Sequence, residues 1–240
     1  GRFAEAYELY APLVKKGTRN TVGQSVVCLW RLDRAAEAKK AASRFAKRFD
    51  DTGWSLLFRI EEGSYYVRLG EIDRAVKHFE KVEGDARSVI TESTIESQLL
   101  APLIENPAAA AAYFSATARW EANRRVPSQE GLARALKAQG NFVTAYPDNP
   151  FVADVRLRLG KFHLSNDNYL PAAGAFRHVL DNPRSTRGQQ EEAIWLLLRA
   201  YTKGNHFADA HTTAVTLTSQ FPDHPESNAV QLEIGYILSQ

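Results

Sequence analysis

The stretch Tyr146–Gly160, YPDNPFVADVRLRLG, returns as Phe221–Gly235, FPDHPESNAVQLEIG, at an offset of 75 residues. An aromatic, two prolines, an aspartate, a valine, a leucine and a closing glycine recur in register. A chain that repeats itself at such an interval folds as stacked units, none of which buries its apolar face alone. The offset is best halved. Between the copies lies DNYLPAAGAF, and the same kind of phrase recurs as GRFAEAYELY, LDRAAEAKKA, GEIDRAVKHF and GNHFADAHTTA. Aligning the small residue inside each phrase gives Ala6, Ala38, Ala75, Ala172 and Ala210, and Ala135 in GLARALKAQ joins the series. The steps are 32, 37, 60, 37 and 38 residues.

The segments between the proline-rich turns carry apolar residues at helical spacing. Val152, Val155, Leu159 and Phe162 share one face, with Leu157 and Leu164 beside it. No alternating β-branched run bounded by a hairpin turn competes with that pattern. The expected fold is all-α, a solenoid of helical hairpins. The step of 60 exceeds one repeat by about 23 residues, enough for one more helix with its turns. Residues 88–104 supply it, with Ile90, Ile95, Leu99 and Leu103 as its apolar stripe. Asn106 then reads as an N-cap and Pro107 as the first residue of the next helix. The layout is repeats over 1–83, an inserted helix over 84–106 and repeats over 107–240, forming one continuous solenoid. Both chain ends fall inside a repeat, as in an excerpt from a longer chain.

These residues resemble the tetratricopeptide repeat (TPR) over most of the chain, least well over 84–131. The family places a small residue in the first helix, matched by Gly63, Gly160 and Gly235, with an aromatic soon after, matched by Tyr66 and Tyr201. Its second helix carries an alanine, matched by the series above, and an aromatic, matched by Tyr10, Phe79 and Phe176. A proline follows at Pro147 and Pro222, and one residue early at Pro183. Leu198 departs from the pattern, standing where the glycine belongs. The expected packing has glycine and alanine bringing antiparallel helices together while the aromatic fills the gap to the next hairpin.

The resemblance implies a right-handed superhelix whose first helices line a concave groove. Its apolar anchor positions fall on Ile60, Trp120, Leu157, Trp195 and Leu232. One turn further along lie Ser64, Arg124, Lys161, Arg199 and Tyr236. The partner-binding set is therefore Trp120, Arg124, Leu157, Lys161, Trp195, Arg199 and Tyr236. Aromatic rings beside cations are the composition of binding hot spots, although both indoles also suit a core. The carboxylate clamp of chaperone-type TPR domains is not matched, because its Lys-x-x-x-Asn pair occurs only at Lys16–Asn20 and Lys137–Asn141. The phrase F/Y-P-D-x-P is similar to that of bacterial envelope TPR proteins, such as the BamD-type outer-membrane assembly lipoproteins and the Tol-Pal associated proteins. That likeness implies a periplasmic or cell-envelope location.

Charge narrows the partners. Thirty basic and 28 acidic side chains leave a formal +2, too balanced for a generic polyanion binder. Apolar anchors also lack the coded polar positions of RNA-reading repeats. No nucleic-acid partner is expected. No stretch approaches the ~20 apolar residues of a membrane span. The nucleotide, zinc-protease and nucleophile-elbow motifs are missing, so no enzyme activity, cofactor or metal is expected. His206 and His211 are five apart, the wrong spacing for one helical face. Cys28 in SVVCLW reads as a buried, inert thiol. The pairs Glu61–Glu62 and Glu191–Glu192, and the run RFAKRFDD, read as solvated surface. The expected function is a non-enzymatic interaction scaffold that holds a protein or peptide carrying an acidic-apolar segment. The alternative is a helical repeat module of a larger enzyme or regulator, such as a cell-wall lytic enzyme, whose catalytic part lies outside this chain.

Overall fold

A computed structural model describes residues 2–87, 103, 105–224, 232, 235 and 236 of the chain. Among the described residues the regular structure is helical throughout, with no strand. The chain divides into two compact units, Gly1–Ala145 and Tyr146–Gln240. The first holds α1 (Arg2–Tyr10), a 3-10 turn (Ala11–Leu13), α2 (Arg19–Arg31), α3 (Ala35–Phe49), α4 (Thr52–Arg68), α5 (Ile72–Ala86), α6 (Pro107–Arg125) and α7 (Gln129–Ala145). The second holds α8 (Val152–Ser165), α9 (Tyr169–Leu180), α10 (Arg187–Lys203) and α11 (Phe207–Gln220). The helix expected over 88–104 lies outside the described residues except for Leu103, which is buried. Asn106 caps α6 through the Ala109 N–H at 2.9 Å, with Pro107 as the first helical residue.

Four connections between helices are built alike. Each passes through one residue of left-handed backbone: Asp33 at φ 59°, Gly70 at 80°, Asp167 at 57° and Asn205 at 60°. The next amide then reaches back across the helix end. Arg34 N–H donates to Leu29 C=O at 3.0 Å, and Glu71 to Tyr66, Asn168 to His163 and His206 to Tyr201 each at 2.9 Å. This Schellman closure satisfies carbonyls that a helix end leaves open. Gly, Asp and Asn are the residues that enter the left-handed region most readily. In all four, the left-handed residue stands five places before the alanine of the sequence register. The alanines then pack without remainder. Ala38, Ala75 and Ala135 in the first unit, and Ala172 and Ala210 in the second, are 0% exposed. Ala6 is only half-buried, in a helix that buries no residue.

Within the first unit α5 packs between α4 and α6, while α4 also touches α2 and α6. Within the second, α9 packs between α8 and α10, and α8 touches α10 directly. The second-helix aromatics do more than fill the gap to the next hairpin, which corrects the sequence expectation. Phe79 lies on Gly63 and Phe176 on Gly160 of their own hairpins, so closely that an added Cβ would sit under 3.0 Å from the ring. Phe79 also stacks on Phe114 of α6, centroids 5.8 Å apart. Where Leu198 replaces the glycine in α10, the aromatic has shrunk to Ala214 in α11. Both are fully buried in one core cluster, so volume lost on one helix is regained on the other. The run RFAKRFDD is likewise not all surface: Phe45 is 1% exposed, and Asp51 caps α4 through the Trp54 N–H.

Overpacked cores typically lose ~1–3 kcal/mol. Gly160→Ala should therefore destabilise by about that amount in a denaturant titration, and adding Phe176→Leu should recover most of the loss. An additive double mutant would show that the ring does not rest on this glycine.

Candidate partner-binding surface

The sequence-predicted residues separate into three environments. Leu157 is 5% exposed and belongs to the second unit's core, as Ile60, at 1%, belongs to the first unit's. Leu157 and Ile60 are thus packing residues. Trp120 on α6 is half-buried. Trp195 on α10 is also half-buried, resting against the core with its ring 5.7 Å from that of His224. Leu232 and Tyr236 are exposed, the Tyr236 ring lying 6.1 Å from Phe207.

The cations remain at the surface, and two of them are engaged by carboxylates. Arg124 pairs with Glu121 one turn back at 2.7 Å. Lys161 of α8 pairs with Glu192 of α10 at 2.6 Å, joining neighbouring first helices. Arg199 is exposed and makes no ion pair among the described residues. Glu192, Trp195 and Arg199 fall on one stripe of α10, spaced three and four residues apart. The second unit therefore brings Lys161, Trp195 and Arg199 onto adjoining first helices. Trp120 and Arg124 sit one turn apart on α6 of the first unit.

The recurrent PDxP turn supports this surface in a way the sequence conceals. Its variable letter is a buried polar residue both times, Asn149 and His224, each 8% exposed. Each closes the same turn, Asn149 N–H to Tyr146 C=O and His224 N–H to Phe221 C=O, both at 3.1 Å. His224 then meets Trp195, so the turn helps to fix the indole.

A polar network in the first unit went unseen. Glu61 is 4% exposed, not solvated. The Arg31 guanidinium forks onto its carboxylate, Nε at 3.0 and 3.2 Å and Nη2 at 2.6 Å, tying α2 to α4. Glu62 accepts from Lys39 at 2.8 Å and from the Tyr66 hydroxyl. Burial pushes the Glu62 carboxyl up, but the Lys39 ammonium and the Tyr66 hydroxyl together hold it below the usual carboxylate range. His78 places Nε2 at 2.9 Å from Arg59 C=O, and burial pushes its pKa down from 6.5. Arg31 and Glu61 lie 30 residues apart in sequence, which no local motif reveals. Cys28 is buried as expected, and burial raises its thiol pKa. Lys16 lies in a turn with Asn20 in α2, while Lys137 and Asn141 lie in α7. Among the described residues no group of three or more His, Cys, Asp or Glu side chains is placed to hold a metal ion. No described helix is long and apolar enough to cross a membrane. Comparison with protein-family models and with curated proteins finds no match.

The two shifts act in the same direction on acidification. The native fold disfavours the protonated form of His78, so the unfolded chain takes up its proton first and stability falls as pH drops through and below 6.5. The depressed Glu62 contributes stability above the carboxylate range, lost as pH falls through its folded value. In thermal melts from pH 8 to pH 3, His78→Asn should flatten the first decline and Glu62→Gln the second. Unchanged profiles would remove these two groups as the source.

Proposed function

We propose that this chain is a non-enzymatic interaction module of TPR-like hairpins, which holds a partner segment on the exposed faces of its first helices. The observation that carries the reading is the placement of Trp195, Arg199 and Lys161 on two first helices that touch each other, α8 and α10. The four hairpin turns closed in one way and the five alanines at 0% exposure support a repeat architecture. In such an architecture the core is uniform, and side chains projecting outward are free to set specificity.

The occupant is a peptide segment, or the equivalent stretch of a folded partner, with one apolar side chain and at least one carboxylate. Trp195 offers amphipathic contact area at low entropic cost, and the cations steer acidic chains toward it. Partner acids must compete with Glu192 and Glu121, so each ion pair contributes little alone and binding rests on the indole. A place in a bacterial cell-envelope assembly is the process we assign to this module, from the PDxP phrase.

The test is direct binding of labelled peptides. Acidic-apolar peptides should bind more tightly than basic-apolar ones of equal hydropathy, with affinity falling as salt rises. Reversing Lys161→Glu and Arg199→Glu together should weaken binding at least tenfold, and Arg124→Glu alone only slightly. The melting temperature should barely move, since exposed substitutions cost little. Equal binding of both peptide classes, or reversals without effect, would overturn the reading.

A further inference from the structure

The α6–α7 hairpin departs from the other four. Elsewhere the first helix ends seven residues before the register alanine and the second begins three before it. Here α6 ends ten before Ala135 and α7 begins six before it, so the turn is displaced by three residues. No left-handed residue closes it. Instead Asn123 Oδ1 accepts the Ser128 N–H at 3.0 Å, and Ser128 Oγ accepts the Gly131 N–H at 3.0 Å. A Cβ on Gly131 would come within 2.7 Å of both side-chain oxygens and would have to displace them.

The displaced turn borders a cleft of about 420 Å³, between the start of α5, the end of α6 and the start of α7. Its volume lies in the range of small-molecule sites. Three guanidinium groups line it, those of Arg119, Arg125 and Arg134, against one lining carboxylate, Asp73. Arg119 is held by Glu80 at 2.6 Å, and Arg134 only loosely by Glu130 at 3.4 Å. Arg125 makes no ion pair among the described residues. The first turn of α7, at Ser128 and Gly131, adds the positive end of a helix to the same wall.

We propose that this cleft binds the phosphoryl group of a phosphate monoester, with Arg125 and Arg134 as its principal ligands. This goes beyond the peptide-binding reading and involves other residues. The choice of phosphate over carboxylate follows from the competition within the site. A ligand carboxylate would exchange like for like with Glu130 at Arg134 and engage the Arg125 fork alone. A phosphate monoester brings nearly two charges and three acceptor oxygens, enough to engage two guanidinium forks at once. The geometry implies binding alone, with no bond made or broken. The phosphoryl group can be carried by a small metabolite or by a phosphorylated side chain.

The experiment is titration of the isotope-labelled protein, followed by amide NMR, with inorganic phosphate, O-phosphoserine, a phosphoserine peptide and acetate. Saturable shifts at Ser128 and Gly131 are expected with the three phosphate probes, and weaker, non-saturating ones with acetate. Arg125→Gln with Arg134→Gln should weaken phosphate binding at least tenfold while the remaining amide spectrum stays that of the folded protein. Tighter binding of O-phosphoserine than of the peptide identifies a small-molecule source, and the reverse order a phosphorylated chain. Acetate binding equal to phosphate, shifts centred elsewhere, or a double variant with undiminished affinity would overturn the proposal.

Discussion

Two of the hairpins depend on a steric bargain between glycine and phenylalanine. A ring laid on a bare backbone sets how closely two antiparallel helices approach, and the alanine four residues before the ring must then be small. Gly63 with Phe79 and Gly160 with Phe176 make the contact in this form. Leu198 with Ala214 keeps the combined volume while reversing its ownership. Interiors packed to crystal-like density tolerate such exchange only when the sum is conserved.

Given that spacing, the turns have little freedom. The first helix must stop where the left-handed residue can fold the chain back, and a carbonyl five residues earlier receives the returning amide. Propensity, capping and packing agree at the four regular hairpins, the consistency expected of a sequence that specifies one structure. At α6–α7 they part company. Side-chain oxygens of Asn123 and Ser128 replace the backbone closure, and an arginine-lined cleft accompanies the change.

Much of the fold was legible because it is written in small residues at regular intervals. The alanine register located buried contacts at Ala38, Ala75, Ala135, Ala172 and Ala210, and Asn106–Pro107 marked the start of α6. The surface was less legible. Periodicity could not separate Leu157, closed in the core, from Trp195, half-open on the next first helix. Glu61 looked solvated because its partner Arg31 lies 30 residues away, beyond any local pattern. Asn149 and His224 looked interchangeable because they share a buried turn rather than a side-chain chemistry. The cleft left no motif, since its arginines, Arg119, Arg125 and Arg134, are spread over two helices.

The reversed Leu198–Ala214 pair has a bearing on how such a chain can grow and recombine. A duplication or exchange that moved a single helix would set leucine against phenylalanine, or glycine against alanine, and leave a collision or a void. Moving both helices together carries the matched volumes along. The unit that carries matched volumes is therefore the hairpin rather than the single helix.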